Sequence, residues 1–169
     1  MRLHRGQIPG LCRSIVKALK DAGDIEVAEG REVERDLESV LNNYLNDLDR
    51  VLARARDLVQ QRGLPQGEFV RIKKLCADQA GIKVDDDALD YVLDQLIHML
   101  MNSQSVDEVY AEDHAIKRRM RPFLRAEEEA EREIEAEVRS KLKHVEEGSR
   151  VWEIEYERMK AEIKRRRGL

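Results

Sequence analysis

The sequence predicts an all-α protein: an elongated bundle of six or seven helices with long helical hairpins. Three observations lead there. Apolar residues recur at three- and four-residue spacing in segment after segment, the period of an amphipathic helix. Only three prolines and nine glycines punctuate 169 residues, so long uninterrupted helices are expected. The stretch Asp85 to Met101 carries Leu89, Val92, Leu93, Leu96, Ile97 and Leu100 in one stripe, which Ala88, Met99 and Met101 widen beyond a single face. Such a helix needs partners on several sides. It is expected to be the central helix of the core.

The first helix should begin near Pro9, a residue suited to the first helical position. Ile8, Leu11, Cys12, Ile15, Val16 and Leu19 make its apolar face, and Gly23 sits where a helix C-terminus favours glycine. The alternating piece Asp24-Ile25-Glu26-Val27 follows, too short to stand as a sheet by itself. A long helix is then expected from Gly30 to Arg62. Leu37, Leu41, Leu45, Leu48, Leu52, Ala55 and Val59 form one row, with Val33, Val40, Tyr44, Val51 and Leu58 beside it. This is either a bundle helix or a coiled-coil arm that could dimerise; Asp47 falls in the seam.

Gly63 and Pro65 stop that helix. A third, from Gln66 to Ala80, turns Phe69, Ile72, Leu75 and Cys76 inward and closes at Gly81. Ile82-Lys83-Val84 leads into the central helix. Ser105-Val106-Asp107-Glu108 has the spacing of a capping box and is expected to start a helix containing Ile116, Met120, Phe123 and Leu124. Pro122 should kink or divide it. The alternative is a short extended piece from Val106 to Ala111, so that such links pair locally. From Ala126 the charge density rises around a narrow stripe of Ile134, Val138, Leu142 and Val145. Gly148 and Ser149 break the pattern. A last helix carries Trp152, Tyr156, Met159 and Ile163 on one face, with Val151 and Ile154 beside them. The expected division is a helical core at 1–125, built around 85–101, and a charged C-terminal hairpin at 126–169, docked or protruding. A weak internal repeat is also visible, since Ile25-Glu26-Val27 and Ile82-Lys83-Val84 each precede a long apolar helix.

Charged residues make up 39% of the chain and aromatic residues 4%, which implies thin packing and much solvated surface. The net charge of −4 argues against global attraction to nucleic acid or anionic membrane. The basic start Met1-Arg2-Leu3-His4-Arg5 is followed by Arg13, Lys17 and Lys20 rather than an apolar run, so no signal peptide is read. No stretch approaches the ~20 apolar residues of a membrane span. A soluble, cytoplasmic protein is expected, with Cys12 and Cys76 reduced and buried.

Candidate chemistry is sparse. His4, His98, His114 and His144 show no metal-binding spacing, and no phosphate-binding loop or nucleophile motif occurs. Asp94 and His98 share a helix face, but a metal site needs further ligands. Asp85, Asp86 and Asp87 are accounted for as helix N-terminal acids. Glu112-Asp113-His114 is the densest group of acid/base side chains and the basis for a metal-dependent enzyme reading. Neighbouring positions point apart, so they would need tertiary help to converge. Catalytic, cofactor and metal residues are therefore not assigned. Two basic clusters could neutralise phosphates: Lys117, Arg118, Arg119 and Arg121, and the tail Lys164, Arg165, Arg166 and Arg167. The order Phe69–Ala80, turn, central helix resembles helix-turn-helix, but the second helix opens on Asp85, Asp86, Asp87 and Asp90, which would repel phosphates.

Four stretches together resemble a known family: Asp24-Ile25-Glu26-Val27, Ala88-Leu89-Asp90-Tyr91-Val92-Leu93-Asp94-Gln95-Leu96, Val109-Tyr110-Ala111-Glu112-Asp113-His114, and Glu147-Gly148-Ser149-Arg150-Val151-Trp152-Glu153-Ile154-Glu155-Tyr156. The family is the bacterial one called domain of unknown function 507. The resemblance spans essentially the whole chain and implies a cytoplasmic bacterial protein with no established activity. It supplies no catalytic residues. The leading expectation is a non-enzymatic helical interaction or scaffold protein, with a protein partner or self-association. Nucleic-acid binding through 117–121 and 164–167 is the alternative, and a metal-dependent enzyme near 112–114 the third reading.

Overall fold

The computed structural model describes residues 3–146 and 149–167. It is 78% helical, an all-α bundle of six α-helices and one small two-stranded sheet among the described residues. The helices are α1 (Ile8–Asp21), α2 (Gly30–Gln61), α3 (Phe69–Ala80), α4 (Ala88–Asn102), α5 (Asp113–Lys141) and α6 (Arg150–Arg166). The strands are β1 (Ile25–Glu26) and β2 (Glu108–Val109). Gly148, expected to break the chain's last helices apart, lies outside the described residues, as do Met1, Arg2, Gly168 and Leu169.

The helix ends follow local chemistry. Pro9 sits in the first turn of α1. Gly23 and Gly81 take φ of 72° and 73° just past α1 and α3, a left-handed conformation that costs other residues a Cβ clash. Beyond Gly81, the amide of Ile82 donates to the Ala77 carbonyl at 3.1 Å and closes the end of α3.

All six apolar residues of α1 are buried. Along α2 burial runs from Val33 to Val59, against α1, α3 and α4, so α2 is a bundle helix along its length. On α4, Ala88, Val92, Leu93, Leu96, Ile97 and Leu100 are buried, and this helix packs against α2 and α5. Helix α2 packs against α1, α3 and α4, and α5 against α1, α4 and α6. Two inward expectations fail. Leu75 is 48% exposed and Met101 51%, because each stands one position off the buried stripe of its helix.

The expected capping box at Ser105 is not formed. Glu108 and Val109 instead form a strand, inside the Val106 to Ala111 stretch of the alternative reading, and α5 begins at Asp113. Here a tertiary partner outweighs the local motif. β2 pairs antiparallel with β1, Ile25 opposite Val109 and Glu26 opposite Glu108. The Asp107 amide donates to the Glu26 carbonyl at 2.9 Å, and the Tyr110 and Ala111 amides donate to the Asp24 carbonyl at 2.9 and 3.2 Å. Ile82-Lys83-Val84, the other half of the apparent repeat, joins no strand. Its Ile82 and Val84 are buried and its Lys83 carbonyl accepts the Tyr44 hydroxyl at 3.1 Å.

Pro122 does not divide α5, which continues from Asp113 to Lys141. The proline withholds one backbone donor, but the helix on both sides is anchored by Ile116, Met120 and Leu124 in the core. Apolar packing forms two clusters. The larger joins α1 to α4 with α5 up to Leu124. The smaller consists of Ile134, Val138, Leu142 and Ile163, with Trp152, Tyr156 and Met159 packed against it. It joins the second half of α5 to α6.

Candidate functional site

The basic tail is turned inward on α5. Ser149 caps α6 by accepting the Trp152 amide at 3.1 Å. The apolar face of α6 lies on α5 and thereby sets its cations over the acids of that helix. Glu131 is 6% exposed, and its carboxylate meets Lys160 Nζ at 2.8 Å and Lys164 Nζ at 3.0 Å. Burial pushes the Glu131 pKa up, but the two ammoniums outweigh it and hold the carboxyl below its ordinary value. Lys160 also reaches Glu135 at 3.8 Å. Arg167 bonds Glu137 at 3.0 Å and approaches Glu133 at 3.4 Å, and Arg166 bonds Glu137. Arg166 foremost, with Lys141 and Arg167, holds Glu137 down to about 2. Of the four tail residues named from sequence, only Arg165 lacks a partner among the described residues.

The second basic cluster is arranged in the same way. Lys117 pairs with Asp94, Arg121 with Asp90 and Arg119 with Asp24. Arg118 is exposed and has no partner among the described residues. These cations tie α5 to α4 and to the β1 loop. Charge spacing along the chain reveals the clusters; which acids they meet depends on helices that are distant in sequence.

Glu112, Asp113 and His114 are all exposed at the start of α5 and do not converge. Among the described residues no group of three or more His, Cys, Asp or Glu side chains is placed to hold a metal ion. Asp94 and His98 are both exposed, and Asp94 is engaged by Lys117. Asp85 pairs with Lys73 at 2.6 Å, while Asp86 and Asp87 face solvent ahead of α4. Cys12 and Cys76 are free and buried, and burial pushes the Cys12 thiol up to about 12.

Two surface features were not legible in the sequence. The first is a cleft of about 510 Å³ between α2 and the α5–α6 pair, lined by Leu45, Leu48 and Leu52 on one side and by Glu131, Glu135 and Arg139 of α5 with Tyr156 and Lys160 of α6 on the other. A neighbouring cleft of about 500 Å³ continues it past Val59 of α2 and Gly63, just beyond that helix, to Glu153 of α6. Arg56 and Phe69 line both. The second is a set of exposed apolar side chains. Val151 and Ile154 stand one turn apart on α6 at 62% and 60% exposure, and Val70 and Leu75 are exposed on α3. No helix among the described residues is long and apolar enough to cross a membrane.

A family model described as a protein of unknown function (DUF507) matches residues 1–169, the whole chain. No curated protein matches it.

Proposed function

The chain belongs to the DUF507 family, and from its own surface we propose that it is a non-enzymatic helical interaction protein. The observation that carries this reading is the pair Val151 and Ile154. The inner face of α6 is already occupied, with Ile163 buried and Trp152, Tyr156 and Met159 packed on α5. Val151 and Ile154 project away from that contact and remain more than half exposed. Apolar side chains grouped on an outer helix face are what a protein partner covers. The internal pairing of the basic clusters supports this reading over phosphate binding, since those charges already hold the helices together. Two buried, unpaired thiols support a reducing compartment such as the cytoplasm.

The test is association. Light scattering over a wide concentration range, together with cross-linking in cell extract, should show a second copy or a captured protein. The double substitution Val151→Glu and Ile154→Glu should abolish it without unfolding the chain. A strict monomer with no captured partner would remove the reading.

A further inference from the structure

We propose that residues 3–7 form a proton-sensitive strap: the segment stays seated in the corner between α2, α5 and α6 while the His4 ring is neutral, and lifts when that ring takes a proton. The device is independent of the exposed face at Val151 and Ile154.

The strap is held lightly and ends sharply. Leu3 packs against the larger apolar cluster and lines the cleft shared by Glu131, Tyr156 and Lys160. Arg5 bonds Asp49 of α2 at 2.8 Å, but the two are 45% and 70% exposed, so the pair adds little. The Gln7 amide donates to the His4 carbonyl at 3.0 Å and closes the single helical turn Arg5–Gln7. No residue of that turn is buried, whereas Ile8, the next in the chain, is 1% exposed. Residues 3–7 can therefore part from the corner while α1 stays in the core, the kind of local opening that weakly packed ends allow.

His4 makes the seat sensitive to charge. Its ring lies on the backbone of Gly6, where a Cβ would stand 3.0 Å from Cε1 and 3.3 Å from Nδ1. Nδ1 is buried and has no hydrogen-bond partner among the described residues. A neutral ring carries its one proton on Nε2 and leaves Nδ1 as a bare acceptor. A protonated ring carries N–H on both nitrogens, so a charged donor would be enclosed without an acceptor. The neighbours do not relieve this. Lys160 and Lys164 of α6 already hold Glu131 of α5 at 2.8 and 3.0 Å, and Arg5 holds Asp49 of α2. Burial first, with Lys164 and Lys160, keeps the His4 pKa below its ordinary 6.5 against the opposing pull of Glu131.

The sign follows from linkage. Below 6.5 the lifted segment binds more protons than the seated one, so seating is complete above that value and weakens by up to about tenfold for each pH unit beneath it. Glu127 of α5, which lines a cavity of about 290 Å³ with Gly6 and Gln7, acts in the other direction. Burial and Glu131 raise its carboxyl, so proton uptake there favours the packed state as pH falls.

The test is NMR on the full chain, following the His4 ring and the Leu3 methyl groups from about pH 8 to about pH 5 across the histidine range. His4 should titrate below 6.5, and the Leu3 signals should move towards free-chain positions with the same midpoint. In His4→Gln the Leu3 signals should hold one position at every pH, and in Glu127→Gln the response should remain. His4 titrating at 6.5 or above overturns the strap, as do Leu3 signals unmoved by pH. A response that survives His4→Gln, or vanishes in Glu127→Gln, belongs to another group and overturns it. Loss of the folded Trp152 fluorescence at the same midpoint makes the event an unfolding of the α5–α6 joint and overturns it too.

Discussion

Glu131 of α5 and Lys164 of α6 form a pair in which neither side chain is more than about a tenth exposed: 7% for Glu131 and 11% for Lys164. Lys160 completes the group at 2.8 Å. Two ammoniums therefore share one carboxylate beside the small apolar cluster that joins the two helices. This is a clasp whose charges have left water and depend on each other.

Neutralising the acid should loosen the clasp. Glu131→Gln leaves two partly buried ammoniums facing an amide, and the expected loss of stability is about 2 kcal/mol. Trp152, the one tryptophan, lies on α6 and reports on this joint. Urea unfolding followed by its fluorescence should show the lower midpoint. An unchanged midpoint would mean that the apolar contacts alone hold α6.

Acid should release the same joint. Glu137 has its pKa lowered to about 2 from an ordinary 4.5, chiefly by the hydrogen bond from Arg166. In the range between those values the unfolded chain binds more protons than the folded one, so stability rises with pH. The contribution is fully present above the ordinary carboxylate range and is lost as pH falls towards about 2. Glu131, also lowered, acts in the same direction. Thermal unfolding at stepped pH should show the loss on the acid side, and Glu137→Gln should flatten part of it. Raised salt should weaken the exposed Glu137 pairs more than the buried Glu131 group.

A second joint is set at the other end of α5. Asp24 is 6% exposed, and its carboxylate takes Arg119 while its backbone carbonyl takes the amides of Tyr110 and Ala111. Asp24→Ala removes only the carboxylate and should cost about 1–2 kcal/mol, discounted because Arg119 is 41% exposed. Amide exchange should quicken at Asp107 and Tyr110 as the two strands part. Loss of stability without that local opening would place the effect elsewhere.

The helical bundle was readable because its signal is local. A three- or four-residue apolar spacing survives whatever the neighbours are, so α1, α2 and α4 could be read from Ile8 to Leu100 with their buried faces. The failures lie where a local signal met a distant partner. Ser105-Val106-Asp107-Glu108 has the spacing of a helix cap, yet Glu26 and Asp24 bind the amides that follow Ser105 and hold Glu108 and Val109 as a strand. Leu75 and Met101 were expected inside by their apolar character, and the facing of their helices leaves them in water.

The candidate surface shows the same division. Sequence could mark Lys117 to Arg121 and Lys164 to Arg167 as basic, but a charge carries no record of its partner. Whether a lysine meets phosphate, solvent or Glu131 is decided by which helix folds against it.

By itself, the sequence determined the class of fold, most helix limits and the absence of a familiar catalytic motif. These follow from the helical period, from proline and glycine at helix ends, and from residue spacing along one strand of chain. Only the tertiary structure decided that β1 meets β2, that the basic clusters close on Asp24, Asp90, Asp94, Glu131 and Glu137, and that the α5–α6 pair stands off α2 to leave a cleft beside Arg56. The reason is physical: hydrogen bonds and ion pairs act over a few ångströms in space, and their partners here stand tens of residues apart in the chain.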